Sequence, residues 1–257
     1  MDKKQNKINK ISAIILLAGY GKRITSVTKN PKCLLKINNQ TIIDRNLNLL
    51  KEHNIKDITL VLGYKKDLIK EQLKKHKGYF NFTYAYNNNY KKCGNSYSLL
   101  AGLKKTKGKS LIFDGDLIYA KKILKNFLLK GYASSFLIGK TSIKNIECAK
   151  ALADKEGYIR KTIDKRLINK TELKDFNFVG EAIGIIKISN KIRKLMIIGL
   201  NNFLRNKKNL NLNWEHFMNK FLQKNLIQYN KVFNSDWIEI DTKQDYIKAV
   251  SLFKKND

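Results

Sequence analysis

Along the first half of the chain, two spacings of apolar residues alternate. Short continuous runs rich in Ile, Leu, Val and aromatic residues at 11–17, 57–62, 80–86 and 110–113 predict strands buried on both faces. Between them, apolar residues recur every three or four positions at 42–53 (Ile43, Leu47, Leu50), 65–75 (Leu68, Ile69, Leu73) and 96–105 (Leu99, Leu100, Leu103), which predicts helices, with another at 120–129. Strands alternating with helices specify a parallel sheet covered on both faces. The second half reads differently. Strands are predicted at 132–138, 149–153, 158–163 and 178–188, with Glu156-Gly157 as a hairpin turn. Helices follow at 190–204 and 215–223, then a strand at 237–240 and a closing helix at 243–253. The expected fold class is α/β, with a Rossmann-like, mostly parallel mixed sheet and helices on both faces. There is no internal repeat, low-complexity linker or Pro/Gly-rich boundary, so 11–257 is expected to be one domain behind a basic extension at 1–10.

Charge changes this picture less than its size suggests. The formal net charge of +31 would ordinarily point to nucleic acid or an anionic membrane. Only six of the 52 basic residues are Arg, however, and the lysines are scattered among many Asn and Ile with a single Pro. That is the pattern of a compositional bias acting on solvated faces, which leaves a general attraction for small polyanions and no expected specific nucleic-acid partner. Cys33, Cys93 and Cys148 are far apart and without metal-site spacing, which fits a reducing, cytoplasmic location and no structural zinc. A basic start followed by the apolar 11–19 run mimics a secretory signal, but the run is short, lacks an A-x-A pattern and is followed at once by Lys22, Arg23, Lys29 and Lys32. No other stretch is long enough to span a bilayer. His53, His76 and His216 sit at polar-flanked helical positions and read as surface residues.

Chemistry concentrates in three places. The first is Leu17-Ala18-Gly19-Tyr20-Gly21-Lys22-Arg23, followed by Asn30-Pro31-Lys32. A glycine-rich turn after the first strand lets backbone N–H groups approach an anion, and two cations can hold the rest of a triphosphate. A P-loop would need GKS or GKT after its glycines, and a dinucleotide fold a third Gly opening a helix; neither is present. The second is the buried run at 111–113 ending in Asp114-Gly115-Asp116, which puts carboxylates at a strand's carboxyl end, where open α/β sheets bind ligands. Asp116 is the expected metal ligand; Asp114 serves as its helper or as a structural cap. The third is 236–246, where Thr242 reads as a helix N-cap with Asp245 in a capping position, leaving Asp241 unexplained.

Together, G-x-G-x-R, a spacer, P-K, the Asp after a buried strand and the late W-x-E-I-D-T run resemble the nucleotidyltransferase family that makes nucleoside diphospho-sugars and related compounds. The loop departs from it at Ser26, where many members carry Pro. The resemblance implies a GT-A-like sheet whose first loop (Leu17, Ala18, Gly19, Tyr20, Gly21) wraps a nucleotide, Arg23 and Lys32 at its phosphates, and Mg²⁺ on Asp116 and Asp241. Two such carboxylates suffice for Mg²⁺, which keeps waters and substrate phosphates as further ligands. Asn87-Asn88-Asn89-Tyr90 with Gly94-Asn95-Ser96-Tyr97-Ser98-Leu99, and Trp214-Glu215, are similar to the cytidylyltransferases acting on phosphocholine and 2-aminoethylphosphonate. This implies CTP and a small phosphorylated or phosphonate acceptor as partners, with Asn87, Asn95 and Ser96 at the nucleotide and Glu181, Trp214 and Glu215 at the acceptor. A homodimer is compatible with these expectations. Trp214 reads either as a cation–π face or as a core anchor, and Asn95-Ser96 equally as a plain N-cap. The alternatives are a sugar-1-phosphate nucleotidyltransferase and a non-catalytic basic protein that binds nucleic acid.

Overall fold

The computed structural model describes residues 11–233 and 236–253. The basic extension expected at 1–10 lies outside the described residues. In the first half, β1 (Ile11–Leu17) leads through a small hairpin, β2 (Lys36–Ile37) and β3 (Gln40–Thr41), into α1 (Ile42–Glu52) and β4 (Asp57–Leu62). Then come α2 (Lys66–Leu73), β5 (Asn81–Tyr86), α3 (Asn95–Lys105), β6 (Lys109–Asp114), β7 (Leu117–Tyr119) and α4 (Lys121–Leu129). The second half runs β8 (Ser135–Gly139), β9 (Ala149–Ala153), β10 (Ile159–Asp164), α5 (Lys170–Asp175), β11 (Asn177–Ile188), α6 (Asn190–Arg205), α7 (Trp214–Leu222), β12 (Gln228–Val232), β13 (Trp237–Glu239) and α8 (Lys243–Phe253).

Nine strands form one sheet in the order β10-β9-β11-β6-β1-β4-β5, with β8 pairing both β11 and β12. The β6-β1-β4-β5 half is parallel, and β11 joins it antiparallel to β6. The second half therefore extends the same sheet, as its pattern predicts. Successive residues of β1 face opposite layers: Ala13, Ile15 and Leu17 pack with α1 and α4 residues such as Leu47 and Phe127, whereas Ile14 and Leu16 pack with Leu99, Met196 and Phe217. The period of two in a strand thus supplies both cores from one run. A third, smaller core joins Ile24 and Leu35 of the first loop to Ile118, Ile240 and Phe253, tying that loop to the end of the chain.

The sequence pattern did not reveal β2, β3, β7, β12 or α5. His76 also differs from its surface reading. Its Nε2 lies 2.8 Å from Asp44 Oδ1, while Lys75 and Gln72 donate to Oδ2 at 2.6 and 2.5 Å. Burial alone would raise the Asp44 carboxyl, but these hydrogen bonds hold it below the usual carboxylate range. Its stabilisation is thus present above that range and lost as the pH falls through the depressed value. Asp44→Asn is expected to cost about 1–3 kcal/mol. In a thermal melt that is a fall of about 2–4 °C per kcal/mol, and the wild-type advantage should disappear in acid. An unchanged melting point would show the cluster to be neutral.

Candidate active site

The parallel half changes direction at β1: β4 and β5 lie to one side and β6 to the other. Ligands bind at such a switch point, outside the carboxyl ends of the strands. A cavity of about 300 Å³ opens there, between the loop after β1, the turn after β6 and the start of β13–α8.

Local sequence explains the loop. Gly21 takes the left-handed conformation, φ +67°, and a Cβ there would lie 2.9 Å from Lys32 Cγ, so glycine both makes the turn and leaves room for the lysine stem. The loop is pinned by buried Ile24 and returns through Pro31. Lys32 Nζ then bridges Asp116 Oδ2 and Asp241 Oδ1, the latter at 2.8 Å, and the half-exposed Arg23 guanidinium donates to Asp241 Oδ2. Burial pulls the Lys32 ammonium down, but Asp116 and Asp241 outweigh it and leave it above its ordinary value. Asp241 is in turn held below the usual range by Lys32 and Arg23, against the effect of burial.

Asp116 and Asp241 are far apart in sequence and meet because β7 pairs antiparallel with β13, Leu117 opposite Glu239, while the Ile240 N–H donates to Asp116 O at 3.0 Å. Thr242 and Asp245 cap α8 as expected: Asp245 Oδ2 accepts from the Thr242 N–H at 2.8 Å, and also from the Asp241 N–H at 3.2 Å. The same geometry adds a residue that sequence reasoning missed. Glu239 ends β13 two residues before Asp241, and carboxylate oxygens of Asp116, Glu239 and Asp241 lie within 4.8 Å of one another. Glu239 opens to the cavity, yet the surrounding protein and the carboxylates Asp116, Asp241 and Asp114 raise its pKa well above normal. Asp114 is also raised, first by burial and then by Asp116 and Glu215, and packs against Gly184. It lies outside the three-carboxylate cluster, although it reaches the cavity.

The remaining expected residues divide. Ala18, Gly19, Gly21, Asn87 and Asn95 line the cavity. Asn87 Nδ2 donates to Ser98 Oγ at 3.0 Å, and Asn95 Oδ1 accepts from the Trp214 N–H at 2.8 Å, so this asparagine at the start of α3 caps α7. Three do not reach the cavity as expected. The Leu17 side chain belongs to the core, Tyr20 leans outward edge-on against Tyr64 at 4.5 Å, and Ser96 is fully buried beneath the wall.

Glu181 and Glu215 also line the cavity, as does Asp164, which lies beside Glu215 and which the sequence did not single out. Of the two readings of Trp214, the structure shows the core anchor and not the cation–π face at the acceptor. Its ring is 2% exposed, lies 6.1 Å from the Phe136 ring inside the core and is absent from the cavity wall. Two consecutive helical residues face about 100° apart, and the apolar one takes the core while Glu215 takes the cavity. Trp214→Leu is accordingly expected to cost about 2–4 kcal/mol through the void it leaves, seen in the melting temperature, and to affect both substrates alike. A selective rise in acceptor KM without lost stability would contradict this.

The mostly parallel mixed sheet has the Rossmann-like fold of solved nucleotidyltransferases. Residues 13–136 match the family model of the MobA-like NTP transferase domain. The chain is 33% identical over 121 residues to the choline-phosphate cytidylyltransferase of Streptococcus pneumoniae, a match covering 47% of this chain and 51% of that one. It is 27% identical over 255 residues to the CTP:phosphoglutamine cytidylyltransferase of Campylobacter jejuni, covering 91% and 97%. The chain thus spans about half the length of the first relative and nearly all of the second. In structure it is similar to the CTP:phosphocholine cytidylyltransferase from Streptococcus pneumoniae, with a TM-score of 0.76 at 22% identity over 95% of this chain and 99% of that one. Among the described residues, no helix is long and apolar enough to cross a membrane.

Proposed function

We propose that the protein is a cytidylyltransferase that moves CMP from CTP to a small phosphorylated or phosphonate acceptor of the phosphocholine or 2-aminoethylphosphonate type, releasing pyrophosphate. One observation carries this reading: a single cavity has Arg23 and Lys32 against Asp116, Glu239 and Asp241, with further carboxylates, Asp164, Glu181 and Glu215, in the same lining. The relatives named for CTP agree with it. In the reaction, an acceptor oxygen attacks the α-phosphorus, the bond to the β-phosphate oxygen breaks, and pyrophosphate leaves. Such transfers depend on positioning and on charge stabilisation, so no protein nucleophile is required. Arg23 and Lys32 bind and neutralise the triphosphate. Gly19 and Gly21 bring backbone close to it, and the Asn87 and Asn95 region meets the nucleoside.

The carboxylates suit a hard divalent cation. All the donors are oxygen, and Asp116 Oδ1 is buried without a hydrogen-bond partner. Asp116 and Asp241, with Glu239 beside them, would hold Mg²⁺, which when bound supplies positive charge against the phosphates. Pyrophosphate release, measured for four NTPs against phosphocholine, 2-aminoethylphosphonate, phosphoethanolamine and common sugar-1-phosphates, tests the proposal. Release is expected with CTP and an amine-bearing acceptor. Release only with another nucleotide and a sugar-1-phosphate would overturn it.

A further inference from the structure

The cavity that holds the phosphate cations also contains an anionic compartment, formed by Asp164 at the end of β10 and the neighbouring Glu215 in the first turn of α7, with Glu181 of β11 in the same lining. Glu215 is 8% exposed, lines the cavity, and its Oε2 is buried without a hydrogen-bond partner. A buried acceptor left without a donor is costly, and it persists where a bound group supplies one. Asp164 Oδ2 is partly used, accepting from Asn213 Nδ2 at 3.2 Å and facing His216 Nε2 at 3.3 Å. Lys165, also in the lining, is a cation near Glu215. Burial, and after it the neighbouring Asp164, push Glu215 up to about 8, the direction expected of a carboxyl still lacking its cation.

The compartment also lacks what a quaternary ammonium needs. Such a cation has no N–H to donate and is recognised by aromatic faces. Of the described residues lining this cavity only Tyr90 is aromatic, on the loop after β5, and Trp214 is turned into the core. A primary ammonium differs in having three donors, and charge-assisted hydrogen bonds to carboxylates are among the strongest.

We propose that this compartment selects an acceptor bearing a primary ammonium group at the end opposite its phosphate or phosphonate, with Glu215 as the specificity-determining residue, and that it rejects the quaternary analogue. The inference depends on the cytidylyl-transfer reading above and narrows its acceptor class.

The test measures kcat and KM with CTP for phosphoethanolamine, its N-methyl and N,N-dimethyl derivatives, and phosphocholine. These share one phosphate and one spacing, and each methyl removes an N–H. The kcat/KM is expected to fall stepwise, by about 100-fold or more from first to last, as for a site built to pair with a donor the analogue lacks. Glu215→Gln is expected to lower phosphoethanolamine kcat/KM by about 30-fold or more, through acceptor KM, with the CTP KM and melting temperature nearly unchanged. It should also flatten the methylation series. Phosphocholine used as well as phosphoethanolamine would overturn this inference and leave the cytidylyl reading standing. No CTP-dependent transfer to any of the four or to 2-aminoethylphosphonate would overturn both. A Glu215→Gln variant that weakens every acceptor equally would remove Glu215 as the determinant.

Discussion

Asp116→Asn and Asp241→Asn are each expected to lower turnover by about 10²–10³-fold or more, because each removes a fixed charge at the point where phosphate charge redistributes. The two residues sit on separate segments that β7–β13 pairing brings together, and both accept from Lys32. Asn keeps the size of the side chain, so the fold should survive. The stability result has a sign of its own. Asp114, Asp116, Glu239 and Asp241 crowd one another, which helps push Asp114 and Glu239 up. Removing a charge relieves that repulsion but also takes a partner from Lys32; at Asp241, whose carboxylate Lys32 and Arg23 hold below the usual range, the lost pairs win, so Asp241→Asn is expected to lower the melting temperature while activity collapses. Near-normal turnover of both variants at saturating Mg²⁺ would remove the site.

Lys32→Ala is the second large effect: kcat/KM for CTP is expected to fall by about 10²–10³-fold, the scale for losing one well-placed charge-stabilising donor. Lys22→Ala, ten residues away on the exposed side of the same loop, should change it by less than about twofold. The contrast matters in a chain with 52 basic residues. Lys32 is distinguished by burial, by the room Gly21 leaves for its stem, and by contact with two carboxylates from other segments. Equal, small losses in both variants would make Lys32 one more solvated charge.

Much of this arrangement was legible in the sequence because the signals were local. The apolar run of β1, the glycine turn and Pro31-Lys32 lie in one stretch, and a strand ending in Asp114-Gly115-Asp116 announces carboxylates at a ligand edge. What escaped was set by pairing between distant segments. β7 has three residues and follows directly on a turn, too short for periodicity to show, yet its register with β13 is what brings Asp116 to Asp241. Glu239 carried a usable signal, a carboxylate two residues before Asp241 at the end of an expected strand, although Asp241 was the metal carboxylate read from that run. Asp164 carried none, since a carboxylate ending an edge-ward strand looks like any solvated residue until α7 packs beside it. Trp214 and Glu215 show the limit from the other side: an amphipathic pattern places both near a core boundary, and only packing against Phe136 decides which one turns inward.

The central claim, that this cavity transfers the nucleotidyl group rather than a terminal phosphate, is tested most directly with CTP labelled at the α-phosphorus, an amine-bearing phosphate or phosphonate acceptor, and Mg²⁺. The arrangement of Arg23, Lys32, Asp116 and Asp241 predicts that the label appears in a CDP-linked acceptor, with one unlabelled pyrophosphate released per product. Label recovered instead in free CDP, with the γ-phosphate on the acceptor or in solution, would contradict it.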